Sequence, residues 1–312
     1  MPSERSRGRG LGRVAFATLG FALFAPVGLC VVPLGALLLA SRPHRRWEIL
    51  GAAAVAALAL VWLAQPGEPP DQLARAAAVI GGAAFVLATF YTRSTVTHRA
   101  LLAVTAAALA MLALFPLLGW SWPQIRWWVE HRTGFAVRLA LAQVAAAGAP
   151  GAAPVADMER WFETGVRFLA EQYAAVLAIQ MLAGLALAAT VYYRVCRSPA
   201  GVPPGPFREF RFSEHLGWVG ALGLLVMLVP RLAAAKAAAI NLLLVSGLLY
   251  AIRGAAVTAF GIAMLGGAGC GTAALFGLLA MFILPAAVAG AIVLGVIDAG
   301  MDLRRRWAAP PA

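Results

Sequence analysis

The chain has 312 residues, of which 62% are hydrophobic and only 12% are charged. This composition excludes an ordinary soluble domain, because no soluble core of this size needs so much apolar sequence. A hydrocarbon layer about 30 Å thick is crossed by roughly 20 apolar residues in a helix. Apolar runs of that order occupy residues 14–40, 48–64, 76–92, 100–120, 174–193 and most of 216–299. The sequence therefore predicts an all-α, polytopic membrane helix bundle that forms a single integral membrane domain over 1–312.

The net charge of +12 comes from arginine, since Lys236 is the only lysine among 25 basic residues. In a soluble protein such a charge would suggest nucleic acid. Here the arginines lie between the apolar runs, as the positive-inside rule describes, and no direct nucleic-acid partner is expected. The basic clusters fall at Arg5–Arg13, Arg42–Arg46, Arg93–Arg99, Arg194–Arg211 and Arg304–Arg306. Placing them all inside predicts a protein of the bacterial cytoplasmic (inner) membrane, with both the N- and the C-terminus in the cytoplasm.

The first apolar run, 14–40, lies between two basic clusters and should therefore enter and leave the membrane on the same side. Pro26 and Pro33 each remove a helical hydrogen bond, which favours a broken hairpin or two short helices. The acidic connection 65–73 is placed outside. Full spans are predicted at 48–64, 74–92, 99–119 and 167–193.

The stretch 120–166 is predicted to be an extracytoplasmic interfacial segment, with a flexible Gly- and Pro-containing linker at 145–156. Its aromatic residues stand beside arginines, as is typical of helices that lie at the headgroup level. An interfacial anchor is favoured over a cap that gates a substrate. The aromatic residues are Trp120, Trp122, Trp127, Trp128, Trp161 and Phe162.

The segment 194–215 is predicted to be a cytoplasmic aromatic-basic loop. Rings and guanidinium groups alternate in it, a pattern that favours contact with anionic lipid headgroups or with a protein partner. The residues that carry the pattern are Phe207, Arg208, Phe210, Arg211 and Phe212.

The last third of the chain contains a short apolar run, 216–229, and two longer ones, 236–265 and 271–299. The short run is predicted to be re-entrant or to lie on the surface, because this keeps all of the later basic residues inside. The glycine-rich residues Gly266–Gly271 are predicted to form the turn between the two longer runs. The whole chain would then have six full spans plus two short or re-entrant hydrophobic segments, with eight spans as the alternative.

Asp298 is an acid near an apolar boundary. If the last two spans form an antiparallel hairpin that turns near Ala268, Asp298 lies within one helical turn of Lys236 and Asn241. Such a set is either a ligand site or a structural clasp, and the clasp is favoured because ion pairs at membrane edges commonly just satisfy each other.

Arg253 falls near the middle of its predicted helix, where a guanidinium is costly unless it faces a partner, water or an anionic ligand. Together with Tyr250, three residues earlier, it is predicted to contact a ligand. The alternative is a kinked or re-entrant helix that brings Arg253 to an interface.

No catalytic constellation is visible in the sequence. The four histidines stand beside arginines at predicted membrane edges, and no HExxH motif is present. The three cysteines are far apart and match no metal spacing. The sequence therefore predicts a protein that is not an enzyme and needs no cofactor and no metal.

Three segments carry a resemblance to a known family: PPGPFREFRFSEHLGW at 203–218, INLLLVSGLLYAIRGAAV at 240–257 and GVIDAGMDLRRR at 295–306. Their order and spacing resemble the YybS-like family of uncharacterised multi-pass bacterial membrane proteins. That family is distantly similar to the S components of energy-coupling-factor transporters, which are six-helix proteins that bind vitamins or metal ions and work with an energising module.

The resemblance implies a substrate-binding component of small-molecule uptake, with an energising ATPase module as its partner. The alternative is a non-transporting membrane scaffold or assembly factor that docks a cytoplasmic complex through the 194–215 loop. The lipid bilayer is a partner in both cases.

Overall fold

The computed structural model describes residues 17–43, 45–146, 155–213, 215–264 and 284–308. Every regular element within these ranges is a helix, which confirms the predicted all-α class for the part of the chain that is described.

The helices follow one another with short connections. Residues 17–24 are helical, and two 3-10 turns, Phe207–Glu209 and Pro230–Ala235, precede the eighth and ninth of the numbered helices. The numbered helices are α1 Gly28–Ala40, α2 Arg46–Ala64, α3 Pro69–Tyr91, α4 Val96–Leu117, α5 Trp122–Ala146, α6 Val155–Glu171, α7 Tyr173–Val195, α8 His215–Leu228, α9 Lys236–Met264, α10 Leu284–Met301 and α11 Leu303–Ala308.

Five of these helices, α2, α3, α4, α7 and α9, are long and apolar enough to cross a membrane. They fall on five of the six predicted full spans. The sixth, 271–299, begins outside the described residues, as does the predicted turn Gly266–Gly271, and its described part is the shorter apolar helix α10. Helices α1 and α8 are also short and apolar. The number of passes, six with two short segments or eight, therefore stays a prediction.

The run 14–40 is interrupted, in agreement with the expectation drawn from its prolines. The helix at residues 17–24 ends before Pro26, and α1 begins at Gly28. Pro33, in contrast, lies inside α1 without ending it. Only one of the two prolines therefore breaks the chain into short helices.

The chain forms two compact units, Met1–Pro204 and Gly205–Ala312. In the first unit α1 packs against α2, α3 and α7, and its residues Leu29 and Leu37 are buried. Glycine makes this close packing possible, because a Cβ atom at Gly184 would lie 2.7 Å from the carbonyl oxygen of Leu29. The short helix α1 is thus held among longer, membrane-length helices.

The segment that is predicted to be extracytoplasmic consists of the helical pair α5 and α6, which pack on each other. The predicted linker at 145–156 lies mostly outside the described residues. Helix α6 continues to Glu171, and its residues Val166 and Ala170 are buried. The bounds of the extracytoplasmic segment, 120–166, stay a prediction. The span that follows begins at Tyr173 instead of residue 167.

An ion pair ties α5 to the start of α3. Arg132 donates to Oδ1 of Asp71 at 2.8 Å, and the hydrogen bond to Asp71 raises the pKa of Arg132 above its ordinary value. Ile125 of α5 is fully buried in the same cluster as Leu73 of α3. The α5–α6 pair is therefore attached to this end of α3 by both apolar and ionic contacts.

In the second unit α9 packs against α8 and α10. Helices α9 and α10 run in the same direction and touch at two glycines. Their contacts follow chain order on both helices: Gly247 with Ile292, Tyr250 with Gly295 and Arg253 with Asp298. A Cβ atom at Gly254 would overlap the carbonyl oxygen of Ala291, and one at Gly295 would overlap that of Tyr250. This backbone contact fixes the register that builds the candidate site.

Candidate functional site

Arg253 and Asp298 form a buried ion pair between α9 and α10. Arg253 donates from Nε to Oδ2 of Asp298 at 2.8 Å and from Nη2 to the backbone carbonyl of Asp298 at 3.0 Å. The two side chains are only 4% and 0% exposed. Arg253 and Asp298 stand at the same level of the two helices, each three residues after the contact of Tyr250 with Gly295.

Arg304 completes the cluster from the short helix α11. It donates from Nη2 to Oδ2 of Asp298 at 2.8 Å, and its side chain is also buried. A turn in the chain at Asp302, where φ is 46°, separates α10 from α11 and brings Arg304 back onto Asp298. One carboxylate oxygen therefore accepts hydrogen bonds from two arginines.

The same arginine holds the aromatic-basic loop. Nη1 of Arg304 donates to the backbone carbonyls of Arg208 and Phe210, each at 3.0 Å. Beside it, Arg211 makes a two-pronged pair with Asp302 at 2.8 and 3.2 Å, with both side chains partly exposed. The loop is thus attached to α11 and to the turn before it by four hydrogen bonds from two guanidinium groups.

Aromatic rings cover the cluster on the side of α9. The ring of Phe212 lies 5.3 Å from the guanidinium carbon of Arg253, a cation–π distance, and meets the ring of Tyr250 edge-on at 5.1 Å. Phe210 contacts Phe212 in the same edge-on manner at 6.3 Å. The rings therefore shield the buried charges with apolar surface.

The charges of the cluster do not balance, because two guanidinium groups share one carboxylate. Among the described residues, Nη1 of Arg253, Oδ1 of Asp298 and Nε of Arg304 are buried without a hydrogen-bond partner. A buried polar atom left in this way costs about 1–3 kcal/mol. The arrangement can attract an additional acceptor, such as an anionic or carbonyl oxygen, but it contains no base and nucleophile placed for catalysis.

A family model described as a predicted membrane protein, DUF2232, matches residues 14–299. The chain belongs to the DUF2232 family of predicted membrane proteins. No curated protein and no solved structure matches it. The family establishes a membrane protein with several apolar helices and leaves its activity open.

The cluster joins residues that the sequence analysis had placed in two separate sites. Arg253 and Tyr250 were predicted to contact a ligand, and Asp298 with Asn241 to form either a ligand site or a clasp. Phe207, Arg208, Phe210, Arg211 and Phe212 were predicted to contact lipid or a partner. The structure brings Phe212 onto Arg253 and Tyr250, and connects the loop backbone to Asp298 through Arg304.

The predicted pairing of Asp298 with Lys236 or Asn241 is wrong, because its carboxylate is held by Arg253 and Arg304. Asn241 lies earlier on α9, where its Nδ2 donates to the backbone carbonyl of Ala237 at 2.8 Å. The error comes from the assumed antiparallel hairpin. The described parts of α9 and α10 run in the same direction, so Asp298 stands beside Arg253 and not beside the first turns of α9.

A second polar network, in the first unit, was not predicted. Arg99 is fully buried, although the residues before it, from Arg93 to His98, are mostly polar or basic. It donates to the hydroxyl of Tyr193 at 3.2 Å and to the backbone carbonyl of Val202. The hydroxyl of Tyr193 in turn donates to the carbonyl of Ala200 at 2.7 Å. The segment that follows α7 is therefore fastened to the start of α4.

The neighbouring tyrosine extends this network to α1. Tyr192 accepts a hydrogen bond from the backbone N–H of Ala200 at 2.8 Å, and its hydroxyl lies 2.6 Å from Oγ of Ser41. The sequence feature that could have indicated this network is the Tyr192–Tyr193 pair at the end of an apolar run. Within the described residues no group of acidic, histidine and cysteine side chains could hold a metal ion.

Proposed function

We propose that this protein is a non-transporting membrane scaffold that docks a cytoplasmic complex through its aromatic-basic loop. The docking surface consists of the side chains of Phe207, Arg208 and Arg211, each of which is at least half exposed. One observation carries the proposal: the backbone beneath these side chains is held by Arg304, whose own side chain is buried.

Such a surface is suited to a protein partner for two physical reasons. Aromatic and arginine side chains supply most of the binding energy in protein interfaces. A loop already fixed by hydrogen bonds loses little conformational entropy when a partner binds, so more of the contact energy remains as affinity. Membrane lipid alone would require neither the fixed backbone nor the buried arginine.

The uptake component is the second candidate, and a specific observation favours it. The Arg253–Asp298–Arg304 cluster carries one excess positive charge, and Nη1 of Arg253 is buried without a partner among the described residues. An anionic or carbonyl-bearing ligand would supply an acceptor there. The scaffold ranks first because the remaining donors of Arg253 are already used by Asp298.

A site-specific photocrosslinker tests the choice in native membranes. At position 207 it should capture one discrete cytoplasmic protein, whereas at Leu224, an exposed apolar position of α8, it should not. The capture should be lost in Arg208→Glu and kept in Arg231→Glu, which reverses an exposed arginine away from the docking surface. A captured ATPase would point to the uptake component, and crosslinks to lipid alone would contradict the scaffold.

Ligand binding is tested separately by native mass spectrometry of the protein in lipid nanodiscs. The uptake candidate requires a retained small molecule that dissociates from Arg253→Lys while the melting temperature is kept. Wild-type protein that carries no small molecule would remove the support for this candidate.

A further inference from the structure

The first unit contains a cavity of about 280 Å³ between the connection of α1 to α2 and the end of α7. It is lined by residues of 38–52 and of 195–198. None of these residues belongs to the docking surface or to the Arg253 cluster.

Positive charge dominates the walls of this cavity. Arg42, Arg45 and Arg197 line it from two separate segments of the chain, and Glu48 is the one acid among its lining residues. Guanidinium groups present planar sets of donors that match the oxygens of a phosphate group. Three of them around one cavity favour a dianionic or monoanionic phosphate over a cation or a neutral solute.

The position of Arg42 is fixed by its surroundings. Its φ is 51°, a left-handed conformation that costs a non-glycine residue about 1–3 kcal/mol. Its neighbour Ser41 holds the turn, with Oγ 2.7 Å from the carbonyl of Leu37 and 2.6 Å from the hydroxyl of Tyr192. A strained arginine beside a turn that partly buried hydrogen bonds hold in place is the kind of feature that accompanies a binding site.

The rest of the wall is apolar. Leu38, Trp47, Ala52 and Val195 line the cavity beside the arginines. Helix α2 begins beside this cavity. The side chain of its N-cap residue, Arg45, makes no capping hydrogen bond, so the first backbone N–H groups of the helix add to the attraction for an anion. The cavity therefore combines a polar end that suits phosphate with an apolar wall that suits a hydrocarbon or glycerol portion.

We propose that this cavity binds a phosphate ester, with Arg42, Arg45 and Arg197 as its ligands. The phosphate has two sources with the same chemistry: the headgroup of an anionic phospholipid, or a soluble phosphate compound. The site stands independently of the docking surface.

Purified protein tests the proposal with two probes, phosphatidylglycerol titrated in detergent and glycerol phosphate added without lipid. Native mass spectrometry gives the apparent affinity for each. The cavity variant is R42Q/R45Q/R197Q, and the matched control is R93Q/R231Q/R305Q, which removes the same charge from exposed arginines outside the cavity. The cavity variant should bind the phosphate probe at least about tenfold more weakly than wild type, since each factor of ten is about 1.4 kcal/mol of lost contacts.

A thiol in the cavity wall gives a second measurement on a chain that keeps its arginines. Cys196 lines the cavity. With Cys30 and Cys270 replaced by alanine, the bound probe should slow the modification of Cys196 by a water-soluble thiol reagent.

The outcomes separate the two sources. Protection of Cys196 and selective loss in the cavity variant with phosphatidylglycerol support a lipid site, and the same pattern with glycerol phosphate supports a soluble ligand. Equal weakening in both triple variants would indicate diffuse surface charge and overturn the proposal. The proposal would also be overturned if neither probe slowed the modification of Cys196.

Discussion

The Nε atom of Arg253 lies 2.8 Å from Oδ2 of Asp298, which joins residues forty-five positions apart at the contact of α9 and α10. Both side chains are buried, and Asp298 also accepts from Arg304. A buried ion pair adds little net stability compared with a well-packed apolar pair, but its disruption is costly because the remaining charge stays buried without a partner. The cluster therefore acts as a clasp, and its members differ sharply from exposed ion pairs in their sensitivity to substitution.

The first prediction is that Asp298→Asn lowers the free energy of unfolding by about 3–5 kcal/mol, because two buried guanidinium groups lose their shared negative charge. Asp302→Asn is the matched control. Asp302 pairs with Arg211 near the surface, where such a pair contributes about 0–1 kcal/mol, and asparagine tolerates the positive φ at this position. Thermal unfolding in detergent measures both, and equal melting temperatures for the two variants would show that the clasp is not structural.

The second prediction concerns the attachment of the loop. Arg304→Gln removes the donors that hold the carbonyls of Arg208 and Phe210, so the backbone of 205–213 should open more readily. Amide hydrogen exchange in that segment should accelerate by roughly tenfold or more, since two hydrogen bonds of about 1 kcal/mol each are lost. Arg305→Gln, which changes the exposed neighbour, should leave the exchange unchanged. Equal rates in both variants would contradict the role given to Arg304.

The third prediction is topological. Cysteines introduced near 44, 96, 205 and 308 should be protected from an impermeant thiol reagent in intact cells, because the basic clusters around them are predicted to be cytoplasmic. Cysteines near 69 and 150 should be labelled. The native cysteines are replaced in all these variants, and labelling is repeated on opened cells to show that each site can react. External labelling at 205 would reverse the predicted orientation.

The helices themselves could be predicted because a hydrocarbon layer imposes a length and a composition on each span. This requirement alone was enough to predict the spans that correspond to α2, α3, α4, α7 and α9, and Pro26 predicted the break before α1. A boundary inside a continuous apolar or amphipathic stretch is less defined, which is why the predicted span 167–193 begins six residues before α7.

The assembly of the candidate site could not be predicted from the same information. The register of α9 on α10 depends on two backbone contacts at glycine, and glycines are common throughout this chain. Arg304 holds the loop through backbone carbonyl groups, which every residue type possesses. The residue types of the loop therefore could not identify it as the partner of Arg304. Arg99 was counted with the topology-setting arginines although it is fully buried, because composition cannot distinguish the two roles.

The fourth prediction tests the Arg99 network through its glycine. Gly201 has a φ of +76°, and a Cβ atom there would lie 2.6 Å from Nη1 of Arg99 and 2.8 Å from the carbonyl oxygen of Thr89. Gly201→Ala should therefore destabilise the protein by about 1–3 kcal/mol. Gly205→Ala is the control, because nothing lies within 4 Å of a Cβ atom at that position. A melting temperature for Gly201→Ala that matches the control would argue against a fixed segment after α7.

The fifth prediction uses two glycines of the α9–α10 pair that should respond in opposite directions. Alanine at Gly254 would place its methyl group on the carbonyl oxygen of Ala291, so the helices must separate and the clasp beside them must loosen. We expect Gly254→Ala to cost about 1–3 kcal/mol of stability, as overpacking commonly does. Gly290 faces open space, and Gly290→Ala should be neutral or stabilising by up to about 1 kcal/mol, because alanine has a higher helix propensity than glycine.

The two variants add the same methyl group to the same pair of helices, so the difference between their stabilities isolates the backbone contact. If the melting temperature of Gly254→Ala is equal to or above that of Gly290→Ala, α9 and α10 do not meet at this register. The pairing of Arg253 with Asp298 would then lose its structural basis.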